Sequence, residues 1–274
     1  MMDRSVERII KGSPAVDGAG VHLVRVLGHD TVDSFDPFLM LDSFDSQNPA
    51  DYVAGFPMHP HRGIETLTYL VQGEIAHEDS MGNKDVIRDG EAQWMTAGSG
   101  ILHEEMPLPR EQILGFQLWI NLPAEQKMSP PNYAALTAEN IGIAQASGYT
   151  VRVLSGQYKD AVGFTPLYVQ AKVFDIDTEG KQEIEIPVGE EETAFLFLLK
   201  GDAFVGDKLY SEKSALLLSK GSRVCFTTKG PGRVIFFSAP RLDEPIAWGG
   251  PIVMNTRAEL AHAFDELRAG TFIK

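Results

Sequence analysis

The chain has 274 residues, 43% of them hydrophobic and 23% charged, and no apolar run approaches the roughly 20 residues of a membrane-crossing helix, so a globular protein of one large or two ordinary domains is expected. A formal net charge of −14, with basic residues scattered rather than clustered, argues against a surface that attracts polyphosphate and so against direct nucleic-acid binding. The only cysteine, Cys225 in "SRVCFTT", can form no intramolecular disulfide and is expected as a buried thiol among strand formers.

The opening "MMDRSVERIIKGSP" is charged and lacks the apolar stretch of a secretory signal, so a cytoplasmic address is expected. Short apolar segments follow, cut at close intervals by 26 glycines and 16 prolines: "LVRVLG", "TLTYLVQGEIAHED", "LGFQLWINLP", "TVRVLSG", "LYVQAKVFDI", "AFLFLLKGDAFVGD" and "RVIFFSAP". This pattern predicts an all-β sandwich or barrel. The polar, proline-rich "PAEQKMSPPNY" (Pro123 to Tyr133), followed by the mixed "AALTAENIGIAQASG", places the boundary around residues 134 to 145, giving expected domains at 1–134 and 135–274. Helical periodicity is convincing only in "NTRAELAHAFDELRAG", where Leu260, Phe264 and Leu267 share a face. Asn255 or Thr256 is the expected cap of that helix, with Glu259 in capping-box position and Gly270 after the last turn.

The two halves resemble each other. "TYLVQGEIAH" (Thr68 to His77) matches "LFLLKGDAFV" (Leu196 to Val205) in pattern, and "DGEAQWMTA" (Asp89 to Ala97) is set against "KGSRVCFTT" (Lys220 to Thr228). A repeat of this length implies two copies of one β domain rather than a solenoid, whose periods are shorter.

Chemistry concentrates in the first half. In "FPMHPHRGIET", His59 and His61 are two apart, so on a strand both imidazoles reach toward one point while Met58 and Pro60 face the other way. "GSGILHEEMP" repeats the arrangement, with His103 and Glu105 sharing parity and Glu104 turned away. If the two strands are neighbours, three neutral nitrogens and a carboxylate converge and leave coordination positions open. Glu65 has the same parity as the first pair and competes with Glu105 for the carboxylate position; spacing does not decide between them. His77 is expected in a hydrogen-bonding role rather than as a ligand. His22, His29 and His262 have no partner at ligand spacing, and Phe56, Met58 and Trp94 are candidates for either pocket or core. Residues 146–261 contain no histidine, so the second domain is expected to be metal-free. The donor set suits Fe(II), Mn(II), Ni(II) or Cu(II), with Zn(II) also admitted.

"HPHRGIETLTYLVQG" followed by "GEAQWMTAGSGILHEEMP" resembles the cupin superfamily, and specifically the pirin family; "DPFLMLDSF", "GFQLWINLP" and "GPIVMNT" extend the likeness along nearly the whole chain. The resemblance implies two antiparallel β-barrels face to face and a single iron in the N-terminal barrel, with a ligand set falling on His59, His61, His103 and Glu105. It therefore favours Glu105 over Glu65, which becomes a pocket residue. It also implies a quercetin 2,3-dioxygenase-type reaction in which Glu105 both ligates the metal and takes the proton of a flavonol's 3-hydroxyl. The rival reading is a non-enzymatic, iron-dependent transcriptional co-regulator that binds a protein partner. A sugar-phosphate isomerase is disfavoured, because no Lys and Arg cluster accompanies Arg62. A monomer is expected.

Overall fold

The computed structural model describes residues 2–274. Its contacts divide the chain into two compact units. One comprises Pro14–Leu23, Phe38–Thr137 and Leu242–Lys274; the other comprises the segment ending at Ser13 together with Val24–Pro37 and Ala138–Arg241. The division near Thr137 falls within the expected 134–145 boundary, and the strand Asn132–Leu136 ends just before it. That strand pairs with Ala92–Thr96 and takes in the last two residues of the proline-rich stretch. The terminal segments also exchange: the C-terminal helix, assigned by sequence to 135–274, packs in the first unit. Local sequence patterns carry no information about such long-range pairing.

Each unit is a seven-stranded sheet with a four-stranded one, so the all-β expectation holds. In the first unit the larger sheet runs Asn132–Leu136, Ala92–Thr96, Ile64–Gln72, Ile113–Asn121, Phe38–Ser46, Val21–Leu27, Ser13–Asp17. The smaller runs Phe56–His61, Ile101–Pro107, Ile75–Asp79, Lys84–Ile87. Every residue of the central strand Ile113–Asn121 is buried, which is why it reads as a near-continuous apolar run rather than an alternation.

The second unit has the same order: Val6–Lys11, Ser214–Leu218, Thr193–Lys200, Gly232–Ala239, Lys172–Thr178, Tyr149–Ser155, Gly142–Ala146, and separately Glu183–Pro187, Arg223–Thr228, Ala203–Val205, Lys208–Tyr210. The first repeat match, Thr68–His77 on Leu196–Val205, joins strands that hold the third place in each sheet of their unit. The second match is corrected. Ala92–Thr96 corresponds to Ser214–Leu218, whereas Arg223–Thr228 corresponds to Ile101–Pro107, the strand of His103. A turn glycine followed by a strand recurs at many corners, and so misaligns easily. The inward positions on the second unit's counterparts of the histidine strands are Ile184, Ile186, Val224 and Phe226, all buried in one apolar cluster. Cys225, between the last two, points outward; it is half-buried rather than buried, with Asp3 3.8 Å from its sulfur.

The helix Arg257–Ala269 is capped as its sequence requires. The Thr256 side chain accepts from the Glu259 N–H, Glu259 reaches back to the cap, and Gly270 closes the last turn at a φ of 70°. Leu260, Phe264 and Leu267 pack on Ile252, Met254, Ala263 and Phe272.

Candidate metal centre

The strands Phe56–His61 and Ile101–Pro107 are antiparallel neighbours, with His103 directly opposite His59. The period of two turns His59, His61 and His103 to the same side, while Met58 is 49% exposed on the other. The ring centroids lie 4.8 Å (His59–His61), 4.4 Å (His59–His103) and 5.0 Å (His61–His103) apart. One nitrogen from each ring fits within a 4.8 Å group, so the three histidines are positioned to bind a metal.

Hydrogen bonding fixes which nitrogens are free. His59 Nδ1 lies 2.9 Å from the Pro57 carbonyl and His61 Nδ1 lies 3.0 Å from the Pro251 carbonyl. A carbonyl only accepts, so each Nδ1 carries a proton, and in the neutral ring Nε2 is then the lone-pair atom. Those two Nε2 atoms are 3.1 Å apart. With both rings neutral, two lone pairs face each other there, an arrangement that a cation between them relieves. His103 is fully buried, and neither of its ring nitrogens has a hydrogen-bond partner, a costly state for a buried imidazole. Burial pushes the His61 pKa down to about 3; the nearby His59 lowers it further and the Pro251 carbonyl opposes the shift. His103 is held well below the ordinary imidazole value, first by burial and then by His61, His59 and His77. Both rings are therefore neutral at pH 7, the form that ligates. This donor set fits a divalent transition metal.

Glu105 is buried beside this group, after a register shift in the strand pairing between His103 and Glu105, and lies outside the three-histidine cluster. Its Oε1 accepts from Thr68 Oγ1 at 2.7 Å and Gln93 Nε2 at 2.6 Å, and its Oε2 from Gln117 Nε2 at 2.5 Å. Three of the roughly four lone-pair sites of a carboxylate are thus filled, which leaves one on Oε2. Sequence reading missed Thr68, Gln93 and Gln117, which come from three separate strands. The available signal was a buried polar residue inside the otherwise apolar "TYLVQ", "AQWMT" and "GFQLW".

Glu65 is not brought to the histidines. Its Oε1 accepts from Thr96 Oγ1 at 2.7 Å, and burial pushes its pKa up to about 7 against the opposing effects of Thr96 and Trp94. A carboxyl with a raised folded-state pKa stabilises most below its unfolded value near 4.5, and that stability is lost as pH rises through 7. At about 1.4 kcal/mol per unit the change is up to about 3 kcal/mol. Glu65→Gln keeps an acceptor for Thr96, so in metal-free protein its stability relative to wild type is expected to rise between pH 5 and pH 8. Urea midpoints at the two pH values check this, and a difference independent of pH would refute it.

His77 is not part of the three-histidine group. Its Nε2 lies 3.3 Å from Asp79 Oδ2, and its ring stacks on Tyr133 with centroids 4.6 Å apart. Phe56 packs in an apolar cluster near Phe44, and Trp94 is buried. Trp119 stands edge-on to His61 at 4.9 Å and lies 5.9 Å from Trp248, a wall that no local spacing announced. Arg62 is absorbed structurally. Its guanidinium is buried against Ser99, Phe272 and Glu266 and offers nothing to a phosphate.

The family description "Pirin" matches residues 20–120, and "Pirin C-terminal cupin domain" matches 173–273. A pirin-like protein of Caulobacter vibrioides is 41% identical over 98% of this chain and 99% of its own length. Human pirin is 36% identical over 92% of this chain and 88% of its own. The crystal structure of a quercetin 2,3-dioxygenase from Acinetobacter baumannii superimposes with a TM-score of 0.90 at 31% identity, covering 99% of both chains. The two family matches together with 41% identity over nearly the whole chain to a pirin-like protein place this chain in the pirin family.

Proposed function

We propose that the protein is a metal-dependent dioxygenase that opens a flavonol of the quercetin type with O2, and that His59, His61, His103 and Glu105 hold one Fe(II) in the first unit. The observation that carries this reading is the pair of Nε2 atoms 3.1 Å apart beside the unpartnered His103 ring, three imidazoles within reach of one ion. Similarity to a quercetin 2,3-dioxygenase supports the choice of substrate class. The second unit offers Ile184, Ile186, Val224 and Phe226 where the first offers ligands, and in this reading it holds no metal.

Iron bound there would supply Lewis acidity toward the deprotonated substrate and the electronic means to engage O2. The protein's own part is to take and hold a proton. The one lone pair left open on Glu105 Oε2 would serve the metal in the absence of substrate and, with a flavonol bound, would instead take the proton of its 3-hydroxyl. Thr68, Gln93 and Gln117 fix the carboxylate so that it does not turn away. In the overall reaction both oxygen atoms enter the products, and the excised carbon leaves as carbon monoxide.

Iron-loaded protein is expected to consume oxygen with quercetin. Glu105→Gln is expected to lower the rate by about 100-fold or more, the usual scale of a positioned base, and His59→Ala to abolish it. An oxygen electrode and product analysis check both. Metal-loaded protein with no turnover of quercetin would contradict the dioxygenase reading.

A further inference from the structure

The segment from Pro251 to Phe272 lies against the residues that flank both histidine strands. We propose that it is a strap that positions the ligand His61, and that Lys127 is the residue that locks it in place. This rests on the metal-centre reading and is independent of the reaction catalysed there.

His61 has one orienting partner, and that partner is the Pro251 carbonyl at 3.0 Å, 190 residues away in sequence. A ligating imidazole whose second nitrogen is fixed has its tautomer and ring plane set before metal arrives. The position of Pro251 is in turn set by its neighbours. The Val253 N–H donates to the Arg62 carbonyl at 3.1 Å, and Ile252 bridges to Arg62 in parallel fashion. The buried Lys127 ammonium donates to the carbonyls of Val253 and Gly63, both at 2.9 Å, and to Asn121 Oδ1. One side chain thereby ties the strap to the turn that follows His61.

Two glycines show how close the approach is. A Cβ on Gly63 would lie 2.0 Å from the Val253 oxygen, and one on Gly100 would lie 2.9 Å from the Phe272 oxygen. Both glycines also have positive φ, 75° and 142°. They are the glycines of "HPHRG" and "GSGILH", the two segments that carry the histidines. At the far end of the strap, Arg62 donates to the Phe272 carbonyl at 2.9 Å and its guanidinium lies 4.1 Å from the Phe272 ring centroid. The glycine and arginine of the motif thus serve the strap, and through Pro251 the strap serves the ligand.

Cobalt(II) titration of the full-length, metal-free protein tests this, with affinity read by chelator competition and ligand geometry read from the visible bands. Lys127→Met keeps the stem and removes the three hydrogen bonds. It is expected to weaken cobalt binding by about 10–100-fold, the usual effect of losing a ligand's outer partner, and to alter the bands. Ile184→Ala, which opens a cavity in the other unit's core, is expected to leave both unchanged. Unaltered affinity and bands in Lys127→Met overturn the proposal. If that variant does not fold, amide exchange in the wild type decides: cobalt is expected to slow exchange at Val253 at least about tenfold, because coupling between two sites is reciprocal. Equal exchange with and without cobalt also overturns it. A wild-type chain that binds no cobalt removes the metal reading and this inference together.

Discussion

Arg62→Ala is expected to destabilise the first unit by about 2–4 kcal/mol, mostly the cost of leaving two buried carbonyls without a donor, since Glu266 keeps Lys274 as a partner. The guanidinium is 2% exposed and is satisfied by the Ser99 carbonyl at 2.7 Å, the Phe272 carbonyl at 2.9 Å and Glu266 Oε2 at 2.5 Å. Removing it strands two buried carbonyls and releases the Phe272 ring that it covers. Lys274 and Arg62 hold the Glu266 carboxyl down to about 2, so the pair stays charged throughout the neutral range. Urea denaturation followed by tryptophan fluorescence measures the loss, since Trp94 and Trp119 both lie in this unit. A loss under about 1 kcal/mol would mean that the C-terminal segment is not docked as described.

The second large effect is linkage between metal and folding. The histidines converge only when two strands pair in register, so the unfolded chain has no comparable site. A divalent metal at about 1,000 times its dissociation constant is expected to raise the unfolding free energy by about 4 kcal/mol, and so the melting temperature by several degrees. His103→Ala is expected to abolish that shift while leaving the metal-free protein folded. It also removes the most deeply buried unpartnered ring of the centre, so the metal-free variant is not expected to be much less stable than the wild type. Thermal scans with and without metal on both proteins check this. Equal shifts in both would show that the metal binds elsewhere.

Much of the site was legible because its information is local. His59 and His61 obey the strand period of two, and the pairing of their strand with that of His103 turns the three imidazoles to one side. The helix cap was legible for the same reason, since Thr256, Glu259 and Gly270 act within a few residues of one another. The Pro251 carbonyl that orients His61 was not legible, because it is backbone, 190 residues away, and any residue could supply it. The exchange of terminal segments between units left no mark on composition either. Arg62 shows the middle case. In sequence it stood without the Lys and Arg cluster of a phosphate site, which spoke against a phosphate ligand, but its partners Phe272 and Glu266 lie at the other end of the chain and could not be read.

The central claim is that three imidazoles, two from one strand and one from its neighbour, share a single ion. Anomalous scattering from metal-soaked crystals tests it most directly. One peak per chain is expected, at about 2.0–2.3 Å from a ring nitrogen of each of His59, His61 and His103, the distance at which imidazole ligates divalent metals. A peak elsewhere, or none at this position under saturating metal, would contradict it.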